Sequence, residues 1–275
     1  GKNHLVLFVS TFWLYCGSSP KNLHVPALFS DGMVIQRDTT VAIWGESTPE
    51  TNVYLYPSWG KSITIKSDKD GRWETHLETT SDQNAHSLQI KSGKDKIFIN
   101  DILIGEVWLA SGQSNMEMDF DYCCNSTDSA QQVLSNDIFN NIRMFNVKKR
   151  YSLNSLSGIQ GRWVEAVKDS IKSFSAVGYF FAKKLHNTLG VPIGIIHASW
   201  GGSDVESWIS KKKLSSIKKL EERFITTQKI EKAKISEDWF SNLKQVKMPS
   251  AGFDLMLGTY FQRSDSFIGY LKYFI

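Results

Sequence analysis

Cysteine is scarce in this sequence: three among 275 residues, too few for a disulfide framework and without the spacing of a metal site. Cys123 and Cys124 are neighbours, and a bond between adjacent sulfurs demands an uncommon geometry, so two free thiols are expected there. An excess of one charge is also missing. The 32 basic and 28 acidic residues leave a net charge of +4, which argues against a nucleic-acid partner. The apolar run in GKNHLVLFVSTFWLYCGSS, at the start, is about a dozen residues long and too short to span a bilayer comfortably.

What that opening stretch does have is a lysine ahead of an apolar core, the pattern of a secretion signal. Residues 1–19 are therefore expected to be a signal segment, and the protein to be secreted or periplasmic, or lysosomal or extracellular in a eukaryote. No membrane association beyond export is expected. Two other readings stay open, a buried N-terminal strand and a lipid anchor at Cys16. Leu14 suits the anchor, but Tyr15 is bulky where a small residue is expected. Asn125-Ser126-Thr127 fits a glycosylation sequon, which matters only in a eukaryotic host.

Residues 24–104 read as β throughout. TVAIWGEST, NVYLYPSWG, SITIKSDKDGRWETHL and HSLQIKSGKDKIFINDILI are short alternating runs broken by Asp-Gly, Pro and Gly, and they predict a β-sandwich. SDKDGRW is a turn joining two of these strands. From residue 105 the pattern changes. EVWLAS is a near-continuous apolar strand of the kind buried on both faces, NIRMFNV at 141–147 is a second, and VPIGIIHAS at 191–199 is a third. Between the last two, SFSAVGYFFAKKLHNTLG sets Phe174, Val177, Phe181 and Leu185 on one helical stripe, with Gly190 and Pro192 as the stop. Strand, helix, strand predicts an α/β domain.

The basic stretch at 211–234 repeats Leu214, Ile217, Leu220 and Phe224 at helical spacing and reads as a surface helix. The tail at 236–275 returns to aromatic-rich β character and stops inside an apolar run. It is expected to be the start of an inserted β-domain, cut short.

In an α/β sheet, ligands sit at the carboxyl ends of the strands. Two of these strands end in GQSN and WGGSD. A serine at such a turn can present its hydroxyl outward, and glycines in the neighbouring loop let a second backbone N–H approach an oxyanion. Ser114 is thus a candidate nucleophile. It lacks the second glycine of the G-x-S-x-G elbow, and a helix N-cap is the equal alternative. Ser203 is a rival whose expected task is capping, with Asp204 able to do the same.

LFSDGMVIQRD, VAIWGES, DGRWETHL, ILIGEVWLASGQSNMEM and IGIIHASWGGSDVESWIS together resemble the sialate O-acetylesterase family, a branch of the SGNH-type hydrolases. The resemblance runs from about residue 24 to 210, and its most specific pieces are GEVWLASGQSNMEM and HASWGGSDVESW. It implies a β domain before a flavodoxin-like catalytic domain at 105–235, with O-acetylated sugars, sialic acids among them, as substrates. Ser114 then matches the nucleophile, with its own N–H as one oxyanion donor and Gly202, preferred over Gly201, as the other. No cofactor and no metal are implied.

One part of the family's pattern is missing. Its base is a histidine three residues after an aspartate, and none of His4, His24, His76, His86, His186 and His197 has that neighbour. The family's Asn-bearing oxyanion segment is missing too, since WGEST at Trp44–Thr48 lies in the β domain and matches a different piece. His186 and His197 read as structural. The sequence is therefore expected to be the N-terminal part of such an esterase, inactive alone for want of the Asp/His block. The alternative from another class is a non-catalytic carbohydrate-binding protein using Trp44, Trp59 and Trp73, unless those rings fill the core.

Overall fold

The computed structural model describes residues 22–124, 133, 139–150, 158–203, 208 and 216. The expectations for the opening segment, Cys16, Asn125, Asp204, the basic helix and the tail fall outside the described residues.

Period-two patterning builds the first half. The strands are β1 (Val34–Gln36), β2 (Thr40–Glu46), β3 (Asn52–Pro57), β4 (Ile63–Lys66), β5 (Arg72–Glu78) and β6 (His86–Ser92), followed by the long β7 (Asp95–Gly112). Along β3, Val53 and Leu55 are buried while Tyr54 and Tyr56 face out, as alternate side chains of a strand must. β2 and β5 pair with each other as a two-stranded sheet, while β4, β3, β6 and the first half of β7 form an antiparallel run. Val41, Ile43, Trp73 and Leu77 from the pair share one core with Val53, Leu55, Leu88, Ile90 and Ile99 from the run. The SDKDGRW turn leads from β4 to β5, so it passes from one sheet to the other rather than closing a hairpin. Asp68 shapes it by accepting the Asp70 and Arg72 N–H groups, which draw its carboxyl below the usual range.

β7 does not stop where the patterning changes at residue 105. Its first half pairs antiparallel with β6, residues 103–105 pair parallel with β1, and Glu106–Gly112 pair parallel with β10 (Ile193–Ser199). β10 is buried at all seven positions because β7 flanks it on one side and β8 (Phe139–Asn146) on the other. β9 (Trp163–Ala166), which the sequence reading did not include, adds antiparallel to β8.

Helices among the described residues include α1 (Ser114–Glu117) and α2 (Phe120–Cys124) after β7, and α3 (Lys168–Lys172) and α4 (Ala176–Leu189) between β9 and β10. They pack Phe120, Ile171, Tyr179 and Ala182 against Ile142, Met144, Ile193 and Ile195 on one face of the sheet. Phe145, Trp163 and Ile196 point from the other face into the first core. Cover on both faces accounts for the near-continuous apolar strands. Arg143, buried on β8, donates to Asp101 Oδ2 at 2.6 Å and to the Gly32 carbonyl, tying the sheet to the β half.

Two expectations are corrected. In α4 the buried face is Ala176, Gly178, Tyr179 and Ala182, whereas Val177 and Phe181 are largely exposed. The helix starts at Ser175, whose hydroxyl accepts the Gly178 N–H, and that start turns the small residues and Tyr179 onto the sheet. Cys123 and Cys124 are not free thiols but are joined in a disulfide at the end of α2, where adjacency brings their Cα atoms to 3.8 Å.

Candidate active site

Ser114 stands where β7 gives way to α1, and it is exposed. The N-cap of α1 is Gln113, whose carbonyl accepts the Met116 and Glu117 N–H groups. Ser114 is therefore the first helical residue and not the cap. Its own N–H has no acceptor inside the helix, as for any residue of a first turn.

The glycine loop after β10 comes down beside it. Trp200 N–H donates to the Gly112 carbonyl at 2.9 Å, and Ser203 N–H closes a four-residue turn onto the Trp200 carbonyl at 3.2 Å. Gly202 occupies the third position of that turn with φ 76°, a left-handed value that favours glycine. A Cβ on Gly201 would lie 3.6 Å from Ser114 Cα, so the two loops are in contact.

The two glycines differ in what their N–H groups do. That of Gly201 donates to Glu117 Oε2, whose other oxygen pairs with Lys149, and Lys149 Nζ lies 5.4 Å from the centre of the Trp200 ring. Gly202 N–H has no acceptor among the described residues. Glu117 and Lys149 were not singled out from the sequence. The available signal was that Glu117 follows Ser114 by three, on the same helical face. The rival Ser203 is buried and committed: its hydroxyl donates to the Trp200 carbonyl at 2.7 Å and accepts Trp208 Nε1–H at 3.0 Å.

His197 is buried at the end of β10. Its Nδ1–H donates to Asn146 Oδ1 at 3.0 Å, and its Nε2 accepts the Ser199 hydroxyl at 2.5 Å. Burial, with help from the Lys149 charge and against hydrogen bonding to the Met116 backbone, draws the imidazole down to about 4. Both nitrogens thus have partners, in Asn146 and Ser199. His186 is likewise engaged, with Nδ1 donating to the Val191 carbonyl at 2.8 Å. Among the described residues no three His, Cys, Asp or Glu side chains converge as a metal site.

Of the three tryptophans considered for sugar stacking, Trp73 is buried and Trp44 packs on Phe29 with ring centres 4.7 Å apart. Trp59 leans on the core and donates to the Glu78 carbonyl. They serve packing.

The sialate O-acetylesterase of Homo sapiens is 28% identical over 205 residues, 68% of this chain and 39% of its own length. That of Mus musculus is 26% identical over 202 residues, 67% of this chain and 37% of its own. The chain is a relative of the sialate O-acetylesterases. It spans about two fifths of the length of the curated relatives it matches. A carbohydrate acetylesterase from Xanthomonas citri has a structure that aligns with a TM-score of 0.64 and 35% identity, over 70% of this chain and 44% of that one. No protein-family model matches. The expected resemblance is borne out, as is the expected α/β class, here a mixed sheet similar to that of a carbohydrate acetylesterase.

Proposed function

We propose that this chain carries the nucleophile and backbone oxyanion donors of a carbohydrate O-acetylesterase, with O-acetylated sialic acids as its substrate class. The observation that carries the proposal is the contact between exposed Ser114 and Gly201 of the glycine turn, in which Glu117 occupies the Gly201 N–H while that of Gly202 has no acceptor among the described residues. The names of the relatives, a sialate O-acetylesterase and a carbohydrate acetylesterase, support the substrate class.

Ser114 Oγ attacks the acetyl carbonyl while the N–H groups of Ser114 and Gly202 hold the oxyanion that develops. Each such donor contributes about 3 kcal/mol where one has been removed by mutation. The sugar hydroxyl leaves with a proton, and water then releases acetate from the acetyl-serine. A serine hydroxyl needs a base to react at neutral pH. In the folded chain the two ring nitrogens of His197 are held by Asn146 and Ser199. The lysine and apolar run that open the sequence support an exported protein.

The test is acetate release from an O-acetylated sialic acid, with imidazole added as an external base and Ser114→Ala run beside the parent chain. Release that depends on Ser114 is expected. Release equal to that of a chain-free control, or undiminished in Ser114→Ala, contradicts the proposal.

A further inference from the structure

The outward face of the β4-β3-β6-β7 run is unlike an ordinary solvated sheet. Phe98 is 60% exposed, Tyr56 42% and Tyr54 37%, and all three project from the same side. The strand registers align them in rows. Tyr56, Gln89 and Phe98 face one another directly across three strands, and Thr64, Tyr54, Lys91 and Lys96 form the next row. At ordinary strand spacing Tyr56 and Phe98 are about 10 Å apart, and Tyr54 and Tyr56 about 7 Å. That is a platform on which consecutive sugar rings can each meet an aromatic face. Cross-strand pairing alone does not explain it, because Phe98 gains little from burial at such exposure.

Charge makes the platform selective. These rows hold no carboxylate, while Lys91 and Lys96 stand in them and Lys66 beside Asn52 at their edge. Lys91 Nζ lies 5.1 Å from the centre of the Tyr56 ring, so cation and stacking surface are presented together. The strand that carries Lys96 and Phe98 is the one that ends at the Ser114 turn. A glycan held on this face is therefore bound to the strand that presents the nucleophile.

We propose that this face binds an anionic, carboxylate-bearing oligosaccharide, with its rings on Tyr54, Tyr56 and Phe98 and its carboxylates on Lys66, Lys91 and Lys96. The identity of the ligand rests on the carbohydrate reading above. The residues are distinct from the Ser114 site.

The experiment titrates the 275-residue chain with a sialic acid hexamer, with neutral xylohexaose and with polyglutamate, a polyanion without sugar rings. The sialic acid hexamer is expected to bind more tightly than either comparison. Tyr56→Ala with Phe98→Ala should weaken it about ten-fold, and so should Lys91→Gln with Lys96→Gln, which also flattens its salt dependence. Phe98 and Lys96 are exposed and none of the four is buried in the core, so the thermal transition should hold; should the double aromatic variant unfold, Phe98→Ala alone supplies the reading. Absence of hexamer binding, equal binding of polyglutamate, or binding that ignores the aromatic changes overturns the proposal. Ser114→Ala should bind the hexamer like the parent. Binding that persists without Ser114-dependent acetate release removes the esterase reading and leaves the face, while acetate release without binding removes the face and leaves the esterase.

Discussion

Lowering the pH from 7 to 5 should weaken this fold through His197 in particular. The imidazole is held at about 4 in the folded chain against an ordinary value of 6.5, so between those values the unfolded chain binds the extra proton. Stability is then fully present above pH 6.5, falls as the pH drops below it, and finishes falling near pH 4. Protonation would also oblige Nε2 to donate, and the Ser199 hydroxyl that now donates to it would have to turn away. Integrating the linkage gives a loss of about 2 kcal/mol between pH 7 and 5, within a total on the order of 3 kcal/mol. The assay is urea unfolding at both pH values for the parent chain and for His197→Gln, which keeps an amide in reach of both partners but does not titrate. The parent should lose about 2 kcal/mol more than the variant over that interval. An equal loss in both would refute the assignment of a buried, neutral His197.

Other perturbations have directions set by the same contacts. Gly202→Ala forces a side chain into the left-handed region at φ 76° and should lower stability by about 1 kcal/mol, seen as a small drop in Tm. Gly105→Ala should be more damaging, because its Cβ would fall 2.0 Å from the Pro192 carbonyl where β7 meets the start of β10; a loss of about 2 kcal/mol or more is expected in urea unfolding. Glu117→Gln removes the charge that joins the Gly201 N–H to Lys149, and hydrogen exchange at the Gly201 amide should quicken about ten-fold while the thermal transition moves little. Unchanged exchange would mean that the carboxylate does not hold the loop.

How far the sequence revealed this molecule depends on which residues carried a local signal. Alternation along Asn52–Pro57 and Arg72–Glu78 named the inward side chains directly, and the near-continuous apolar run at Ile193–Ser199 announced a strand buried on both faces. α4 misled because its bulky residues, Val177 and Phe181, are outward while Ala176, Gly178 and Ala182 allow close packing on the sheet. Size is a poor guide where a helix must approach a sheet closely. The partners of the SDKDGRW strands were not legible either, since a turn records only local geometry and pairing is decided by the shared core. At the candidate site, Ser114 and the glycine pair were legible as loop motifs. Glu117, Lys149 and Asn146 were not, because each acts through a partner distant in the chain.

The most direct test of the central claim maps where a small activated acetyl donor, 4-nitrophenyl acetate with imidazole as external base, places its acetyl group on the serines of the intact chain. The account predicts that Ser114 is acetylated ahead of every other serine, Ser199 and Ser203 included. Acetylation spread evenly over the exposed serines, or concentrated on Ser199 beside His197, would contradict it.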